Sequence, residues 1–413
     1  EWTYKQRDNS PRYDAREVAI RIGELTKSVV ILGSATPDVV SKNRAISGQY
    51  SLLTLRNRVS RNVSDNQTLE LSLPQVEIVD LRVELKQGNR SIFSSALKSN
   101  MDNKIALGEQ IILYINRRGS GGQIQCRDCG NVLKCVRCYM SMNYHGESNV
   151  AVCHICNYKI KHPTKCKECN GHRIRYLGLG TQKVVQELEE LFPGVKTLRW
   201  DRDTAYYKDA HAEMMSTFSK GQAQILVGTQ MIAKGLHFPR VTLVGVLCAD
   251  IGLFLPDFRA GERVFELLCQ VSGRTGRSGL GGKVIIQTYS PTNYAVHSAA
   301  AQDYDMFYSQ EIVYRHDLGL PPFGKLIRLM YSHKNEDTCA TQAIYLGKRF
   351  RQALEVMGIT DVSVLGPSPA FPSKVRGKYR WHIILKGIEP RRLIDETTLP
   401  LGWIVEVDPT SVT

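Results

Sequence analysis

Eight cysteines form four Cys-x-x-Cys pairs within 44 residues: Cys126/Cys129, Cys135/Cys138, Cys153/Cys156 and Cys166/Cys169. Two cysteines separated by two residues can direct both sulfurs at one tetrahedral ion, so the four pairs supply the ligands of two structural zinc ions. A disulfide framework is the alternative, but pairs this close suit a metal in a reducing cytosol better than cross-links. We therefore predict a cytoplasmic protein with two Zn²⁺ per chain.

The spacing alone leaves two pairings open. In the sequential pairing, the first two pairs share one ion and the last two share the other. In the interleaved pairing, the outer pairs (Cys126, Cys129, Cys166, Cys169) hold one ion and enclose the inner pairs (Cys135, Cys138, Cys153, Cys156). The remaining cysteines, Cys248, Cys269 and Cys339, stand alone in apolar surroundings and are expected to be core residues.

The composition indicates a basic protein of two or three domains. The chain has 413 residues, and 54 lysines and arginines outnumber 40 acidic residues, for a formal net charge of +14. A charge of this sign favours a polyanionic partner, most simply nucleic acid, although general solubility is the plainer explanation. No apolar run reaches the ~18 residues of a membrane span, so none is expected.

Apolar, β-branched runs alternate with helical patterns through the middle of the chain, which predicts a parallel sheet with helices on both faces. Buried strands are predicted at 28–32, 110–115, 225–227, 241–247 and 283–287, and helices at 94–106, 181–191 and 260–271. Residues 73–85 suggest an extended connector. Beyond Pro291 the composition changes, and the last hundred residues predict a small α+β domain.

A second informative segment follows the last of those helices. Arg274 and Arg277 lie three residues apart among glycines that let the backbone come close to a ligand. Two such guanidinium groups can bind one polyphosphate and stabilise the charge that builds on a transferred γ-phosphoryl group. A solvated basic turn is the alternative.

Four segments resemble motifs of the superfamily two helicases. They are Gln270–Arg277 for motif VI, Gly33–Pro37 for motif III, Gly228–Pro239 for motif V and Asn116–Gly119 for the motif IV region. With four cysteine pairs between motifs IV and V, the combination is similar to one family, the bacterial replication-restart helicase PriA, also called primosomal protein N′. The resemblance extends over essentially the whole chain.

The resemblance implies roles at a nucleotide site. Arg274 and Arg277 would face the ATP γ-phosphate, and Gln270 would help to couple two helicase lobes. The other residues implied near the nucleotide or its link to DNA are Gly228, Thr229, Gln230, Lys234, Gly235, Gly273, Ser34 and Thr36. The family pairs its cysteines in the interleaved way, so the resemblance implies that pairing here.

Residues implied to contact DNA are spread along the chain. Trp2, Tyr4 and Tyr13 fall where such helicases carry an aromatic-rich loop, and flat side chains suit base stacking. Arg117, Arg118, Lys378, Arg380 and Trp381 complete the set. Each aromatic alone could equally be a core or surface residue, and Trp381 in particular could fill the core of the small domain.

The implied fold is α/β, with a RecA-like helicase lobe, an inserted two-zinc module and a small C-terminal α+β domain. The expected divisions are a remnant of the first helicase lobe (1–60), a connector (61–92), the second lobe (93–123 and 173–316), the zinc-binding insertion (124–172) and the C-terminal DNA-binding domain (317–413).

The sequence departs from the family pattern at the nucleotide site. It contains no Gly-x4-Gly-Lys-Ser/Thr loop and no Asp-Glu pair at the position of motif II. We expect it to be the C-terminal part of a longer helicase that begins after motif II, and to be inactive as an ATPase alone. ATP and Mg²⁺ would then be cofactors of the full-length enzyme.

The resemblance further implies 3′-to-5′ unwinding at stalled forks and primosome assembly for replication restart. Expected partners are branched and single-stranded DNA, primosome proteins and single-stranded DNA-binding protein, with the chain itself a monomer. The zinc module would act as a wedge at the duplex junction or as a docking surface for primosome proteins. The competing hypothesis is a zinc-stabilised DNA-binding adaptor with no enzymatic activity.

Overall fold

The computed structural model describes residues 4–6, 12–55, 59–61, 68–70, 73–116, 122–145, 149–176, 180–201, 204, 210–229, 232, 238–275 and 282–412. Seven residues of the expected sites lie outside these ranges: Trp2, Arg117, Arg118, Gln230, Lys234, Gly235 and Arg277.

The N-terminal part contains two helices and a small hairpin: α1 (Ala15–Thr26), α2 (Val39–Ile46), β1 (Val59–Arg61) and β2 (Thr68–Glu70). The prediction of a buried strand at 28–32 is wrong. This segment is irregular, and Val29 and Ile31 are 89% and 87% exposed. A strand satisfies its backbone groups only by pairing with a neighbour, and no described strand pairs with this segment.

The next elements begin the main sheet: β3 (Gln75–Asp80), α3 (Leu81–Lys86), α4 (Ser95–Ala106) and β4 (Gln110–Tyr114). The prediction of a connector over 61–92 was wrong in part, because β3 pairs with a later strand of the sheet, Lys283–Thr288, along its whole length. Alternate residues of β3 explain the pairing, since Val76 and Ile78 pack on the core on one face of the sheet and Val79 packs on the other.

The cysteine-rich insertion follows β4, at the carboxyl end of that strand. It contains β5 (Ile124–Cys126), β6 (Asn143–His145), β7 (Val150–Val152), β8 (Lys159–Lys161) and β9 (Ile174–Tyr176). β5 pairs with β9, and β6, β7 and β8 form a three-stranded antiparallel sheet. The chain thus enters and leaves the insertion through one short ribbon and forms the second sheet between those two passes.

The lobe then resumes with α5 (Thr181–Leu191), β10 (Thr197–Trp200), α6 (Ala210–Ser219), β11 (Ile225–Gly228), β12 (Val241–Val246), α7 (Asp250–Leu253), α8 (Ala260–Ser272), β13 (Lys283–Thr288), α9 (Tyr294–Ala301) and α10 (Tyr304–Asp317). The six strands are parallel in the order β10-β11-β4-β12-β13-β3.

Helices cover both faces of this sheet. Leu97 of α4 and Val184 of α5 belong to the core on one face, whereas Phe218 of α6 and Phe265 of α8 belong to the core on the other. Burial on both faces explains why the central strands read as continuous apolar runs in the sequence. The predicted α/β lobe is confirmed.

The C-terminal domain contains β14 (Lys325–His333), α11 (Glu336–Met357), β15 (Val362–Val375), β16 (Lys378–Gly387), α12 (Arg391–Asp395) and β17 (Ile404–Val407). Its strands form an antiparallel sheet in the order β15-β16-β14-β17, and α11 packs on that sheet through Leu346 and Phe350. The predicted small α+β domain is confirmed. Among the described helices, none has the length and apolarity needed to traverse a bilayer.

Candidate functional site

The structure brings the eight paired cysteines together as two groups of four. Cys126, Cys129, Cys166 and Cys169 form one, which we call cluster 1, and Cys135, Cys138, Cys153 and Cys156 form the other, cluster 2; within each, all sulfurs lie within 4.8 Å of one another. This is the interleaved arrangement.

The sulfur separations fit a tetrahedral thiolate site. In cluster 1 the Sγ atoms of Cys126 and Cys169 lie 3.7 Å apart. In cluster 2 those of Cys138 and Cys153 lie 3.4 Å apart, and those of Cys138 and Cys156 lie 3.8 Å apart. Four sulfurs about 2.3 Å from a central zinc ion lie ~3.8 Å apart, whereas a disulfide needs ~2.0 Å. The donor set and spacing therefore suit two zinc ions and do not suit cross-links.

The same turn is repeated at all four cysteine pairs. After each second cysteine comes a residue in the left-handed region, and its N–H donates to the carbonyl of the first cysteine at 2.9 Å. The residues in this position are Gly130, Tyr139, Asn157 and Asn170. Glycine and asparagine adopt this conformation readily, but for tyrosine it costs roughly 1–2 kcal/mol. Tyr139 is therefore the exception that the turn itself does not explain.

One thiol of each cluster ionises more easily than usual. A hydrogen bond from Cys138 and backbone N–H groups lower the pKa of Cys153 to about 5, although burial opposes the shift. Burial would raise the pKa of Cys166, but the N–H groups of Cys169 and Glu168 lower it to about 7. A thiolate is the form that binds metal, so these two shifts favour metal binding, whereas burial raises the pKa of Cys129 and of Cys156.

Cluster 1 is anchored on the helicase lobe. Nε2 of Gln125 donates to Oδ1 of Asp250 at 3.1 Å, and a guanidinium nitrogen of Arg82 donates to the carbonyl of Cys129 at 3.0 Å. A Cβ atom on Gly130 would collide with the carbonyl of Tyr289, so the turn approaches the lobe more closely than any other residue type allows.

Cluster 2 is anchored on the C-terminal domain. The carbonyl of His154, which lies between two of its cysteines, accepts from Oγ of Ser368 and Nε2 of His382, each at 2.7 Å. Nδ1 of His154 is 2.9 Å from the carbonyl of Pro369. Burial lowers the pKa of His382 to about 3, so its ring is neutral and can donate from Nε2 at any physiological pH. The module therefore bridges the lobe and the C-terminal domain.

The predicted γ-phosphate arginine lies just beyond the end of α8. Arg274 is half-buried, and its Nε donates to the carbonyl of Gln270 at 3.3 Å. The next residue, Thr275, is buried and donates to the carbonyl of Val241, which fixes the chain after Gly273 against the sheet. Arg274 is therefore held at the boundary of the lobe core.

Of the other nucleotide-site candidates, Gln270 lies on α8, and the rest of those described lie at the ends of elements or in loops. Gly228 ends β11 and Thr229 follows it, both buried at the carboxyl edge of the sheet, where open α/β proteins bind ligands. Thr36 is nearly buried and its N–H donates to Oγ of the exposed Ser34 at 3.1 Å. Ser34 and Thr36 thus form one local turn ahead of α2.

The candidate DNA residues have mixed positions. Tyr4 and Tyr13 are 55% and 47% exposed, and Lys378 is exposed. The guanidinium of Arg380 donates to the carbonyl of Pro372. Trp381 is buried, which favours the alternative that it fills the core of the small domain.

Burial of Trp381 follows from its neighbours on α11. The ring packs with Cys339 and Ala343, and Cys339 is fully buried, as expected for a core cysteine. The small side chains of Cys339 and Ala343 leave room for a large ring on the sheet. Cys248 is also buried and Cys269 is half-buried.

Two functional candidates were missed by sequence reasoning. Tyr139 could have been found by aligning the four cysteine pairs, because it alone places an aromatic side chain after the second cysteine. Glu262, a fully buried carboxylate on α8, gave no signal, because two of its partners, Val39 and Arg315, are distant in the sequence.

Two family models match parts of the chain. Residues 316–409 match the model described as the primosomal protein N C-terminal domain, and residues 165–279 match the helicase conserved C-terminal domain. The second match includes Arg274 and begins within the cysteine-rich insertion.

Several curated proteins are similar along nearly the whole chain. The replication restart protein PriA of Bacillus subtilis is 42% identical over 94% of this chain and 46% of its own length. The PriA protein of Chlamydia muridarum is 39% identical over 93% of this chain and 50% of its own length. The PriA protein of Synechocystis is 40% identical over 99% of this chain and 48% of its own length. The chain therefore spans about half the length of the curated relatives that it matches.

Proposed function

Because this chain belongs to the PriA family of replication restart proteins, we propose that it is part of an ATP-dependent DNA helicase. In this proposal the enzyme unwinds DNA 3′ to 5′ at stalled or repaired forks and starts primosome assembly. The observation that carries it is the position of Arg274, at the end of a helix packed on a parallel sheet.

The nucleotide would be shared with residues outside this chain. Arg274 and Arg277 would neutralise charge on the γ-phosphate, with Gln270 and Thr229 linking the nucleotide to the two lobes. The sequence has no phosphate-binding loop of its own. The chain alone therefore binds DNA but does not hydrolyse ATP, and ATP with Mg²⁺ acts only in the longer protein.

The clusters would each hold one structural zinc ion. Four thiolates complete the coordination shell, so neither ion has an open position for catalysis. The role of zinc is to fold the insertion and to hold its anchors on the lobe and on the C-terminal domain.

The surface around cluster 2 fits DNA. The sequence of residues 131–165 contains a single acidic residue, Glu147, and the exposed basic side chains among its described residues are Lys134, Arg137, Lys159, Lys161 and Lys165. Val136 and Tyr139 are 61% and 70% exposed on the same turn. Basic groups around an exposed ring are typical of single-strand binding sites, where the ring stacks on a base. We place the junction of single and double strands here.

Replacing Tyr139 with asparagine removes the aromatic ring but keeps a residue that suits the turn. Asparagine already occupies this position in two of the other turns, so Tyr139→Asn should keep zinc and thermal stability unchanged or slightly raised. The loss of one stacked base should weaken binding of forked DNA about tenfold, measured by fluorescence anisotropy. Asn157→Ala, in the matching turn that packs against the C-terminal domain, is the control for turn geometry. Unchanged affinity with Tyr139→Asn would exclude the ring from the DNA contact.

The proposed function is tested in the full-length protein that contains this chain. We expect ATP hydrolysis that forked DNA stimulates, together with separation of a labelled strand that depends on ATP. DNA binding that is sensitive to salt but indifferent to ATP would instead indicate the adaptor. Within this proposal the protein acts in the cytoplasm as a monomer, with primosome proteins and single-stranded DNA-binding protein as partners.

A further inference from the structure

A buried carboxylate joins the N-terminal segment to the helix that carries the arginine. Glu262 on α8 is 1% exposed, and its Oε1 accepts a hydrogen bond from the backbone N–H of Val39 at 2.7 Å. Its Oε2 accepts from Arg315 at 3.0 Å and from Nε of Arg259. One oxygen of Glu262 thus binds the N-terminal segment, and the other binds two arginines of the lobe.

The surrounding charges hold this carboxylate in its ionised form. Burial alone would raise the pKa of Glu262, but Arg259 and Arg315 lower it to about 2. Arg315 is itself fixed by an ion pair with Glu311 at 2.8 Å. A buried charge persists only when it is paired in this way, so Glu262 has one position and one charge state.

The N–H group that donates to Glu262 belongs to the N-terminus of α2. Val39 is the first residue of α2, and its N–H is one of the four that a helix leaves unpaired. A carboxylate is favoured there by the helix dipole and by the charged hydrogen bond. Glu262 therefore completes α2 from outside that helix.

Further contacts fix the chain on either side of Val39. The hydroxyl of Tyr304 donates to the carbonyl of Pro37 at 2.8 Å, and Lys42 pairs with Asp305 at 3.1 Å. The segment just before Pro37 contains Ser34 and Thr36. In contrast, residues 28–32 are exposed and irregular, so the described attachment of this N-terminal segment to the lobe is concentrated at residues 37–43.

The same helix connects Glu262 to the nucleotide-site candidates. Gln270 lies eight residues further along α8, about 12 Å at the usual rise, and Arg274 follows two residues after the helix ends. α8 packs along this length on the lobe core through Phe265, Leu268 and Val271. A displacement of α2 would therefore reach Gln270 through one helix, and Arg274 through the short turn that follows it.

We propose that Glu262 is a positioning residue that holds the Ser34–Thr36 turn in register with Gln270 and Arg274, so that DNA binding changes the rate of ATP hydrolysis. This inference rests on the proposed helicase function. It assigns Glu262 no contact with nucleotide or DNA.

The bond can be removed from the Val39 side. Val39→Pro replaces the donating N–H with a ring methylene, so Oε1 of Glu262 loses its donor and is displaced from the N-terminus of α2, and proline is well tolerated at the first position of a helix. Asp38 has φ −67 and ψ 150, which suits the residue before a proline. Val39→Ala is the matched control, because it also shortens the buried side chain but keeps the N–H.

In the full-length protein, we expect Val39→Ala to retain the stimulation of kcat by DNA, and Val39→Pro to reduce that stimulation about tenfold with basal hydrolysis kept. A purely structural role would lower the melting temperature of both variants without changing the ratio of stimulated to basal kcat. Tyr304→Phe, which removes the bond to Pro37, should lower the ratio several-fold and does not depend on tolerance of proline.

Equal stimulation in Val39→Pro and Val39→Ala, with Tyr304→Phe at the wild-type ratio, would overturn the inference while leaving the helicase proposal intact. If the unsubstituted protein shows no DNA-stimulated hydrolysis at all, the proposed function fails and this inference fails with it.

Discussion

Substituting Arg274 with alanine should reduce DNA-stimulated ATP hydrolysis by the full-length protein about 1,000-fold or more. Arginines that neutralise a transferred γ-phosphoryl group contribute 10³–10⁵ to kcat in related chemistry. The side chain lies just beyond the end of α8, where its Nε donates to the carbonyl of Gln270. The measurement is steady-state kcat and KM for ATP with saturating forked DNA.

Two further variants sharpen this prediction. Arg274→Lys keeps the charge but loses the planar pair of donors, so we expect most of the loss to remain. Arg391→Ala is the control, since the side chain of Arg391 is 76% exposed in the C-terminal domain and lies 3.6 Å from the carboxylate of Asp395. Hydrolysis at the normal rate by Arg274→Ala would remove Arg274 from the nucleotide site.

Removing zinc should have the largest effect on the fold. Binding of structural zinc by four thiolates is worth on the order of 10 kcal/mol at neutral pH, which exceeds the net stability of many domains. We expect metal analysis to give two ions per chain and a strong chelator to unfold the insertion. The chain should then become sensitive to proteases within the insertion and at residues 317–324, which connect the lobe to the C-terminal domain.

Single substitutions distinguish the two clusters. Cys126→Ser should release about one ion and weaken the anchor on the lobe, whereas Cys153→Ser should release the other and weaken the anchor on Ser368 and His382. Cys269→Ala, outside both clusters, should keep both ions. A protein with one ion or none per chain would contradict the metal assignment.

The sequence predicted those elements that can be recognised from the pattern of their own residues. The strands Gln110–Tyr114 and Val241–Val246 are buried on both faces, so their apolar runs were sufficient to identify them. Residues 28–32 carry the same pattern but lie exposed, because an apolar run does not reveal whether a neighbouring strand is present. The strand Gln75–Asp80 was overlooked for the opposite reason, since its mixed pattern suits the edge of a sheet.

In the candidate site, too, local features could be predicted from the sequence and contacts between distant residues could not. Cysteine spacing identified the eight sulfurs, but the choice of partners needed three dimensions or a family resemblance. The contacts of Glu262 with Val39 and of His154 with Ser368 join residues more than 200 positions apart. No period or motif in the sequence marks such pairs.

The double anchoring of the zinc module has a mechanical consequence. A flexible peptide linker would let the C-terminal domain tumble independently of the lobe. Here two cysteine clusters stand between them, one anchored through Gln125 on Asp250 and the other through His154 on Ser368. A movement of the lobe would therefore be transmitted to the C-terminal domain through a stiff connection, so that displacement at one end sets the displacement at the other.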